Sequence, residues 1–544
     1  MKKYLKKLLP ALLLLPASLF GQINIPSSIT GNFQIDTQYY LEDSTIGAPF
    51  VPEKMLTNGF GNVNFMRGNF NAGIRYESYQ NALLGFNDKY KGAGITYRFA
   101  SFKVNDLEVT LGNFYDQFGN GLVFRSYEER GLGLDNAMDG IRLRYNPYSG
   151  IYLKGFIAQQ RYYFDKGPGI VRGFDGEMAL SETFKSLADA KTRITVGGSV
   201  VSRFQKDDDP IYNYPENVLA FAGRATVNRG SFSLNTEYAF KYNDPSAVNN
   251  IIYKNGSAFY ANLSYGRKGL GASFSTAYID NMDYRSSRAA TSNDLTLNYL
   301  PSLSKQETYR LATLYPNATV TTGEAGFQGE VYYTFKTKGE TPKSHGTFVS
   351  VNYTHVVGIK KDTAGVDPFI GYKSSFYNIT DEVYFDQVHI EVAKKITKNT
   401  KLIGSYIYTA YNKGVLQGLG QDYGTIYSHI AVIEGQFKLS KTHSIRAEAQ
   451  HLLTEQDKGD WVFGLIEYNI SPHWFFAVFD EYNYGNEIKD ERHNYPNVSM
   501  GYTKGANRIS MGYGKQRDGL LCVGGVCRQV PASNGFSMSV TSSF

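Results

Sequence analysis

Residues 231–242 read Ser-Phe-Ser-Leu-Asn-Thr-Glu-Tyr-Ala-Phe-Lys-Tyr, and large, mostly apolar side chains alternate there with small or polar ones. The large set comprises Phe232, Leu234, Thr236, Tyr238, Phe240 and Tyr242, and the other set comprises Ser231, Ser233, Asn235, Glu237, Ala239 and Lys241. Successive side chains of a β-strand point to opposite faces. This stretch therefore predicts a strand with one apolar and one polar face.

The same alternation recurs along nearly the whole chain, and the breaks between its segments differ in length. Short turns such as Asn228–Gly230 alternate with longer loops. The longer loops are 42–56, 117–134, 281–323, 359–379 and 519–533. Short turns at one end and long loops at the other are typical of transmembrane β-barrels. We predict an all-β, antiparallel transmembrane barrel of about 24 strands, within a range of 22–26, with short periplasmic turns and long extracellular loops.

The overall composition excludes several other classes of protein. The chain has 544 residues, of which 19% are charged and 15% are aromatic, and its mean hydropathy is −0.34. A bundle of transmembrane helices needs repeated apolar runs of about 20 residues, which this chain lacks. The aromatic content also argues against a disordered protein. A soluble β-sandwich shows similar alternation and remains the alternative reading.

The N-terminal residues predict an export signal that covers residues 1–21. Four lysines precede an apolar run from Leu8 to Leu15, and cleavage is expected after Gly21, or alternatively after Ser18. Removing residues 1–21 leaves 52 basic and 50 acidic side chains in the barrel, residues 22–544. A nearly neutral exported protein is not expected to bind nucleic acid.

Aromatic residues gather at the ends of the predicted strands, as expected of rings at a membrane interface. Those next to long loops are Tyr39, Tyr40, Tyr79, Tyr162, Tyr163, Tyr278 and Trp461. Those next to short turns are Phe102, Tyr145, Phe184, Tyr265, Tyr468 and Trp474. They predict two belts of rings facing the lipid.

The last alternating segment, Phe536 to Phe544, ends on an aromatic residue. In this the chain resembles bacterial outer-membrane β-barrels, although Ser542 departs from the bulky apolar residue that is commoner there. The resemblance implies that Phe544 is an assembly signal read by the barrel-assembly machinery. It also implies an integral outer-membrane location, with membrane lipids and lipopolysaccharide as further partners.

The segment from Cys522 to Pro531 resembles a stretch found in a large-barrel family of unknown function and in some TonB-dependent receptors of Gram-negative envelopes. In an exported protein, two cysteines five positions apart predict a local disulfide between Cys522 and Cys527. With no histidine nearby, a metal site is not expected there, and the sequence predicts neither a metal nor another cofactor.

A barrel of about 24 strands encloses a bore that must be obstructed. Few residues precede the first strand, so a separate plug domain is not expected. Residues 117–134 are rich in glycine and charge and resemble the inward constriction loops of porins, although an outward, solvated loop is an equal alternative. Residues 281–323 are too long to be structureless, and Ser304 and Glu307 have capping-box spacing for a short helix. A partner protein that plugs the lumen is the remaining option.

Charged residues on the polar faces predict the lining of the lumen. Candidates for solute contact are Arg75, Arg98, Arg142, Arg144, Lys154, Arg193, Glu108 and Glu237. Other wall candidates are Glu77, Lys241, Glu391, Glu434, Arg446 and Glu448. The excess of cations before residue 203 favours anionic solutes, and a ladder of charges that only wets the wall is the alternative. The expected function is a channel or transporter for small hydrophilic solutes, with a non-transporting scaffold or subunit of a secretion or assembly complex as the alternative. No catalytic residues, and so no enzyme activity, are predicted.

Overall fold

The structure is a computed structural model that describes residues 27–335, 346–420 and 423–544. Twenty-four strands of these residues form one sheet. In chain order β1 to β24 they are Ser27–Leu41, Met55–Arg67, Phe70–Gln80, Gly92–Val104, Leu107–Phe114, Met138–Tyr148, Ile151–Tyr162, Asp165–Ala179, Thr192–Phe204, Asn217–Arg229, Phe232–Lys241, Gly256–Arg267, Leu270–Asp280, Gly323–Phe335, Thr347–Ile359, Ile379–Lys395, Thr400–Asn412, Thr425–Lys438, His443–Leu453, Trp461–Ile470, Trp474–Asn483, Asn497–Lys504, Asn507–Gln516 and Ser533–Ser543. The predicted signal, residues 1–21, lies outside the described residues.

Each strand pairs antiparallel with its neighbour in the chain, and β1 pairs with β24 from Asn32↔Ser543 to Leu41↔Asn534. The sheet is therefore a closed barrel without a free edge, which satisfies the backbone hydrogen bonds as a membrane requires. The predicted fold and the predicted strand number are both confirmed. Phe544 continues the closing seam, because its N–H donates to the Gly31 carbonyl at 2.9 Å.

The two rims differ as the sequence predicted. The turn between β2 and β3 has two residues, Gly68 and Asn69, and most turns at this rim are similarly short. The opposite rim carries the long loops, with a two-residue turn at Tyr163–Phe164 as an exception. Short helices lie in the connections. The α-helices are Leu180–Thr183 and Lys413–Leu416. The 3₁₀ helices are Ser44–Ile46, Asp88–Tyr90, Arg130–Leu132, Lys185–Leu187, Ala312–Leu314 and Lys489–Glu491. In the described ranges, no helix has the length and apolar character needed to cross a membrane.

The outer face of the barrel is apolar and exposed. On β6, Ile141, Leu143 and Tyr145 are each 44–46% exposed, whereas the intervening Arg142 is 9% exposed. This is the reverse of a soluble protein, in which large apolar side chains turn away from the solvent. The outer face is therefore built to contact lipid.

The aromatic belt at the long-loop rim is only partly as predicted. Tyr40, Tyr79 and Trp461 are at most 5% exposed, and they pack inside the barrel rather than against lipid. Tyr278 lies on the outer face, as Phe274 does, but it is 2% exposed because Phe376 and Tyr377 of the connection 360–378 cover it. For these four residues the prediction of lipid contact is wrong. Loops fold back against the upper wall and give it a second apolar face, and sequence alternation does not reveal on which face such a ring lies.

Candidate functional site: a lumen closed by three loops

The first inward loop, residues 115–137, enters the lumen and packs against its wall. Phe118, Leu122, Val123 and Phe124 are at most 1% exposed. Their apolar cluster includes the wall residues Phe156, Val171, Val201, Val218, Ala220, Ala222, Ala239 and Ala258. Short strand pairs stiffen the loop, namely Asp116–Gln117 with Arg125–Ser126 and Glu128–Glu129 with Leu134–Asp135. This loop fills one side of the upper lumen.

The second inward loop, residues 281–322, reaches the wall on the other side. Tyr309, Leu311 and Tyr315 share an apolar cluster with wall residues of β15 to β20. These wall residues are Val356, Phe385, Ile407, Tyr411, Ile426, Ile430, Val432, Leu452, Trp461 and Phe463. The Leu311 N–H donates to Gln450 Oε1 at 2.8 Å. The two loops also bond to each other, since the Arg125 N–H donates to the Leu297 carbonyl at 2.8 Å.

The helix predicted from Ser304 and Glu307 is not formed, and that prediction is wrong. In the described segment 304–315 the regular structure is one 3₁₀ turn, Ala312–Leu314. Glu307 lies 2.9 Å from the Nδ1 atom of His389 on the wall instead of returning to a helix N-terminus. Contacts with several strands hold this segment, and they outweigh its local capping preference.

The third inward element is the hairpin Gly519–Val523 and Val526–Val530, in which the structure joins Cys522 and Cys527 by a disulfide. The hairpin lies over both other loops. Tyr299 Oη donates to the Gly524 carbonyl at 3.0 Å, and Arg528 Nε donates to the Gly131 carbonyl at 3.1 Å. We call residues 115–137, 281–322 and 517–532 the plug loops.

A single carboxylate, that of Asp116, ties the first plug loop to a cationic wall. Its oxygens lie 3.1 Å from Lys154 Nζ, 2.8 Å from Arg144 Nη2 and 3.4 Å from Arg142 Nη1. Burial alone raises the pKa of Asp116, but Lys154, Arg144 and Arg142 together hold that pKa below its ordinary value. Asp116 is therefore ionised at neutral pH, at the point where the loop leaves β5.

A cavity of about 480 Å³ lies directly against this ion cluster. Its charged lining residues are Lys103, Glu108, Arg142 and Arg144. It extends to Gly68 and Asn69, which form the β2–β3 turn, so it reaches the short-turn rim. Three cations and one carboxylate line it, which favours an anionic occupant.

The opposite wall carries the reverse balance of charge. Arg446 lies 3.0 Å from Glu434 and 3.0 Å from Glu467, and it also contacts Glu448. One cation thus faces three carboxylates on β18 to β20. The lumen wall is cationic near β4 to β7 and acidic on the other side.

Most of the remaining predicted lumen residues form ion pairs or hydrogen bonds with other residues of the protein. Arg75 is buried with Glu77 at 2.7 Å and Glu128 at 3.1 Å. Glu108 lies 3.0 Å from Arg142. Glu237 accepts the Asn120 N–H at 2.6 Å. Arg193 shares the inner face of β9 with Ser199 and is exposed.

Arg98 does not lie in the lumen, and its prediction as a lumen residue is wrong. The pairing of β3 and β4 shifts between Arg75↔Tyr97 and Tyr76↔Ile95, and this bulge places Arg98 opposite the outward-facing Ile74. A bulge adds one residue and reverses the faces that follow. Alternation read from the sequence cannot locate such an insertion.

Sequence reasoning missed three charged residues of the plug contacts. Asp116 lies two residues beyond the end of β5, near the start of the first plug loop, and the alternating pattern does not single it out. Asp135 and Arg161 form a buried cluster with Arg75 and Glu77, and the Arg161 Nη2 atom lies 2.6 Å from Glu77. Asp116 and Asp135 lie in the first plug loop, and Arg161 lies beside a bulge of β7. None of these positions belongs to a regular alternation of apolar and polar side chains.

The apolar outer belt, the closed sheet of 24 strands and the inward loops together define a large outer-membrane-type β-barrel with its own plug loops packed inside the upper lumen. Within this class, the chain belongs to DUF6029, a family of unknown function, whose family model matches residues 1–544. No curated protein matches the chain by sequence.

Several solved structures share the barrel architecture at low similarity. The P pilus usher (PapC) translocation pore matches with a TM-score of 0.46 and 10% identity, covering 95% of this chain and 99% of that one. A mutant ferric enterobactin receptor (PfeA) from Pseudomonas aeruginosa matches with a TM-score of 0.43 and 12% identity, covering 95% and 81%. The outer membrane protein OpdK from the same organism matches with a TM-score of 0.36 and 10% identity, covering 83% and 99%. These similarities concern the barrel architecture alone.

Proposed function

We propose that the protein is an integral outer-membrane transporter for small anionic solutes, gated by its plug loops. The observation that carries this proposal is the contact of one loop carboxylate, Asp116, with three wall cations beside a cavity that reaches the short-turn rim. No catalytic step is part of the proposal. Membrane lipids and the barrel-assembly machinery are its proposed partners, and Phe544 is the proposed assembly signal.

Competition for the wall cations is the proposed gating step. A solute carboxylate or phosphate offers Arg142, Arg144 and Lys154 the same charge-assisted hydrogen bonds that Asp116 accepts. A solute bound in the cavity therefore displaces the Asp116 carboxylate and weakens the attachment of residues 115–137. The buried apolar side chains of the loop do not respond to the charge of the solute. Their packing against the wall therefore determines how far the loop moves.

Planar-bilayer recordings on the purified protein test the proposal. Succinate or inorganic phosphate on the short-turn side is expected to increase channel openings, whereas glucose at the same concentration is not. Arg142→Glu with Arg144→Glu is expected to abolish the response and to shift the reversal potential toward cation selectivity. The matched control is Lys185→Glu with Lys191→Glu, a double reversal in an exposed connection between β8 and β9. Unchanged selectivity in the lumen variant would overturn the proposal.

A second candidate function is a non-transporting subunit of an envelope secretion or assembly complex. Exposed apolar side chains at several long-loop tips favour it, among them Phe50, Ile211, Phe369 and Ile488. Such side chains outside the lipid belt suit contact with another protein. Silence in bilayers with all three solutes, together with a partner that copurifies in a fixed ratio from detergent-solubilised membranes, would favour this function over transport.

A further inference from the structure

A group of charged side chains lies on the lipid-facing surface of β4 to β8. Arg98 Nη2 lies 3.2 Å and Lys166 Nζ lies 2.8 Å from the same Asp139 oxygen, and the side chains of Arg98 and Lys166 are 54% and 42% exposed. Arg172 is exposed on the same face, opposite the outward-facing Ile157. Two cations therefore contact one carboxylate, Asp139, and a third cation, Arg172, lies on the same, mainly apolar face.

An apolar groove of about 520 Å³ begins directly below this group. Its apolar lining includes Val63, Phe65, Ile74 and Leu111, and Arg98 is its charged lining residue. Arg98 pairs with Ile74, and Ile74 pairs with Val63, so these three residues form the end of the groove nearest the long-loop rim. The groove continues from there toward the short-turn rim.

The surplus of cations needs an explanation, because a lysine or arginine on the lipid face of a barrel costs about 2–4 kcal/mol near the bilayer centre and less near its edges. An anionic lipid head group removes this cost by pairing with the cations. Phosphate suits Arg98 and Lys166 in particular, since guanidinium and ammonium groups both bind phosphate oxygens. An acyl chain attached to that head group fits the apolar groove beneath Arg98.

We propose that this surface is a binding site for a phosphorylated, acylated glycolipid of the outer leaflet, chemically of the lipid A class. The head-group phosphate binds among Arg98, Lys166 and Arg172, and one acyl chain occupies the groove between Val63, Ile74 and Leu111. The long-loop rim faces the cell exterior. Lys166 and Asp139 are the second residues of β8 and β6 at that rim, and Arg98 reaches Asp139 from the middle of β4, so the group opens toward the leaflet that contains such lipids. The site depends on the outer-membrane location and is independent of any transport through the lumen.

Lipid retention by the purified protein tests the proposal. Wild-type protein and the triple variant Arg98→Gln, Lys166→Gln, Arg172→Gln are reconstituted in nanodiscs with lipid A or with phosphatidylglycerol, and retained lipid is counted by native mass spectrometry after detergent extraction. The wild type is expected to retain lipid A in preference to phosphatidylglycerol. The triple variant is expected to bind lipid A about 100-fold more weakly, from the usual contribution of each cation near a charged lipid surface.

Two further variants separate binding from folding. Lys394→Gln removes an exposed lysine that pairs with the outward-facing Leu402 near the short-turn rim, and it is expected to leave lipid A retention unchanged. Arg98→Lys in the wild-type background is expected to retain most of it, and heat-modifiable migration in gels reports that each variant is folded. Equal retention by folded wild type and triple variant would overturn the proposal. Retention of phosphatidylglycerol but not of lipid A would also overturn the proposal. A protein that copurifies with the wild type and not with the triple variant would overturn it as well.

Discussion

The attachment of residues 115–137 to the lumen wall is the contact whose removal has the clearest expected effect. Asp116→Asn keeps the size of the side chain and removes its charge. Lys154, Arg144 and Arg142 then face one another without the carboxylate that now lies 2.8–3.4 Å from them. The loss of these ion pairs favours detachment of the loop.

The size of the free-energy change follows from the solvent exposure of the side chains that pair with Asp116. Breaking a fully buried ion pair costs about 3–5 kcal/mol. The side chains of Arg144 and Lys154 are 40% and 31% exposed, so solvent screens part of the interaction. A discounted value of about 2 kcal/mol corresponds to roughly a 30-fold rise in the ratio of open to closed states.

Single-channel recording measures this ratio directly. Asp116→Asn is expected to raise the ratio of open to closed time by roughly 30-fold in the absence of solute. Glu467→Gln is the matched control, because it removes a carboxylate from the opposite wall, where its partner Arg446 contacts other wall residues. An unchanged open probability in Asp116→Asn, or an equal rise in both variants, would refute the role assigned to Asp116.

Three other variants test separate parts of the structure. Phe124→Ala removes a fully buried ring of the first plug loop at a cost of about 3–5 kcal/mol, so liposome-swelling rates should rise well above those of the lipid-facing control Phe174→Ala. Cys522→Ser with Cys527→Ser should lower the stability of the hairpin by about 2 kcal/mol, because the disulfide no longer closes it. Tryptic cleavage after Arg528 on intact cells should then become faster. An unchanged cleavage rate would contradict the stabilising role of the disulfide. Gly31→Val should reduce the amount of folded barrel, because a Cβ there would lie 2.5 Å from the Phe544 ring and 2.8 Å from the Asn62 carbonyl oxygen. A Cβ at Gly61 has no atom within 4 Å, so Gly61→Val should fold normally.

Most of the barrel could be predicted from the sequence because alternation with period two records the contrast between lipid and lumen. The stretch from Phe232 to Lys241 is a strand as predicted. The strand number followed from counting such stretches between turns. Arg98 shows where this method fails, since a bulge reverses the faces and leaves no trace in composition.

The packing of the loops inside the lumen was much harder to predict from the sequence. The wall of the upper lumen is lined by Val201, Val218, Ala220 and Ala239, and small apolar residues there do not reveal that a loop packs on them. The loop residues Phe118 and Phe124 are each separated from their wall contacts by long stretches of chain. Long-range packing of this kind overrides local signals, as the missing helix at Ser304 also shows.

Cross-linking of the first plug loop to the wall tests the central claim most directly. Asn120 Nδ2 lies 2.8 Å from Asn235 Oδ1 on β11. Asn120→Cys with Asn235→Cys, treated in native outer membranes with a short thiol-reactive cross-linker, is expected to give a nearly complete intramolecular product. The pair Asn120→Cys with Glu467→Cys, whose second site lies on the opposite wall, is expected to give none. A loop that extends into the external medium would yield no product from the first pair, and that result would contradict a lumen closed by its own loops.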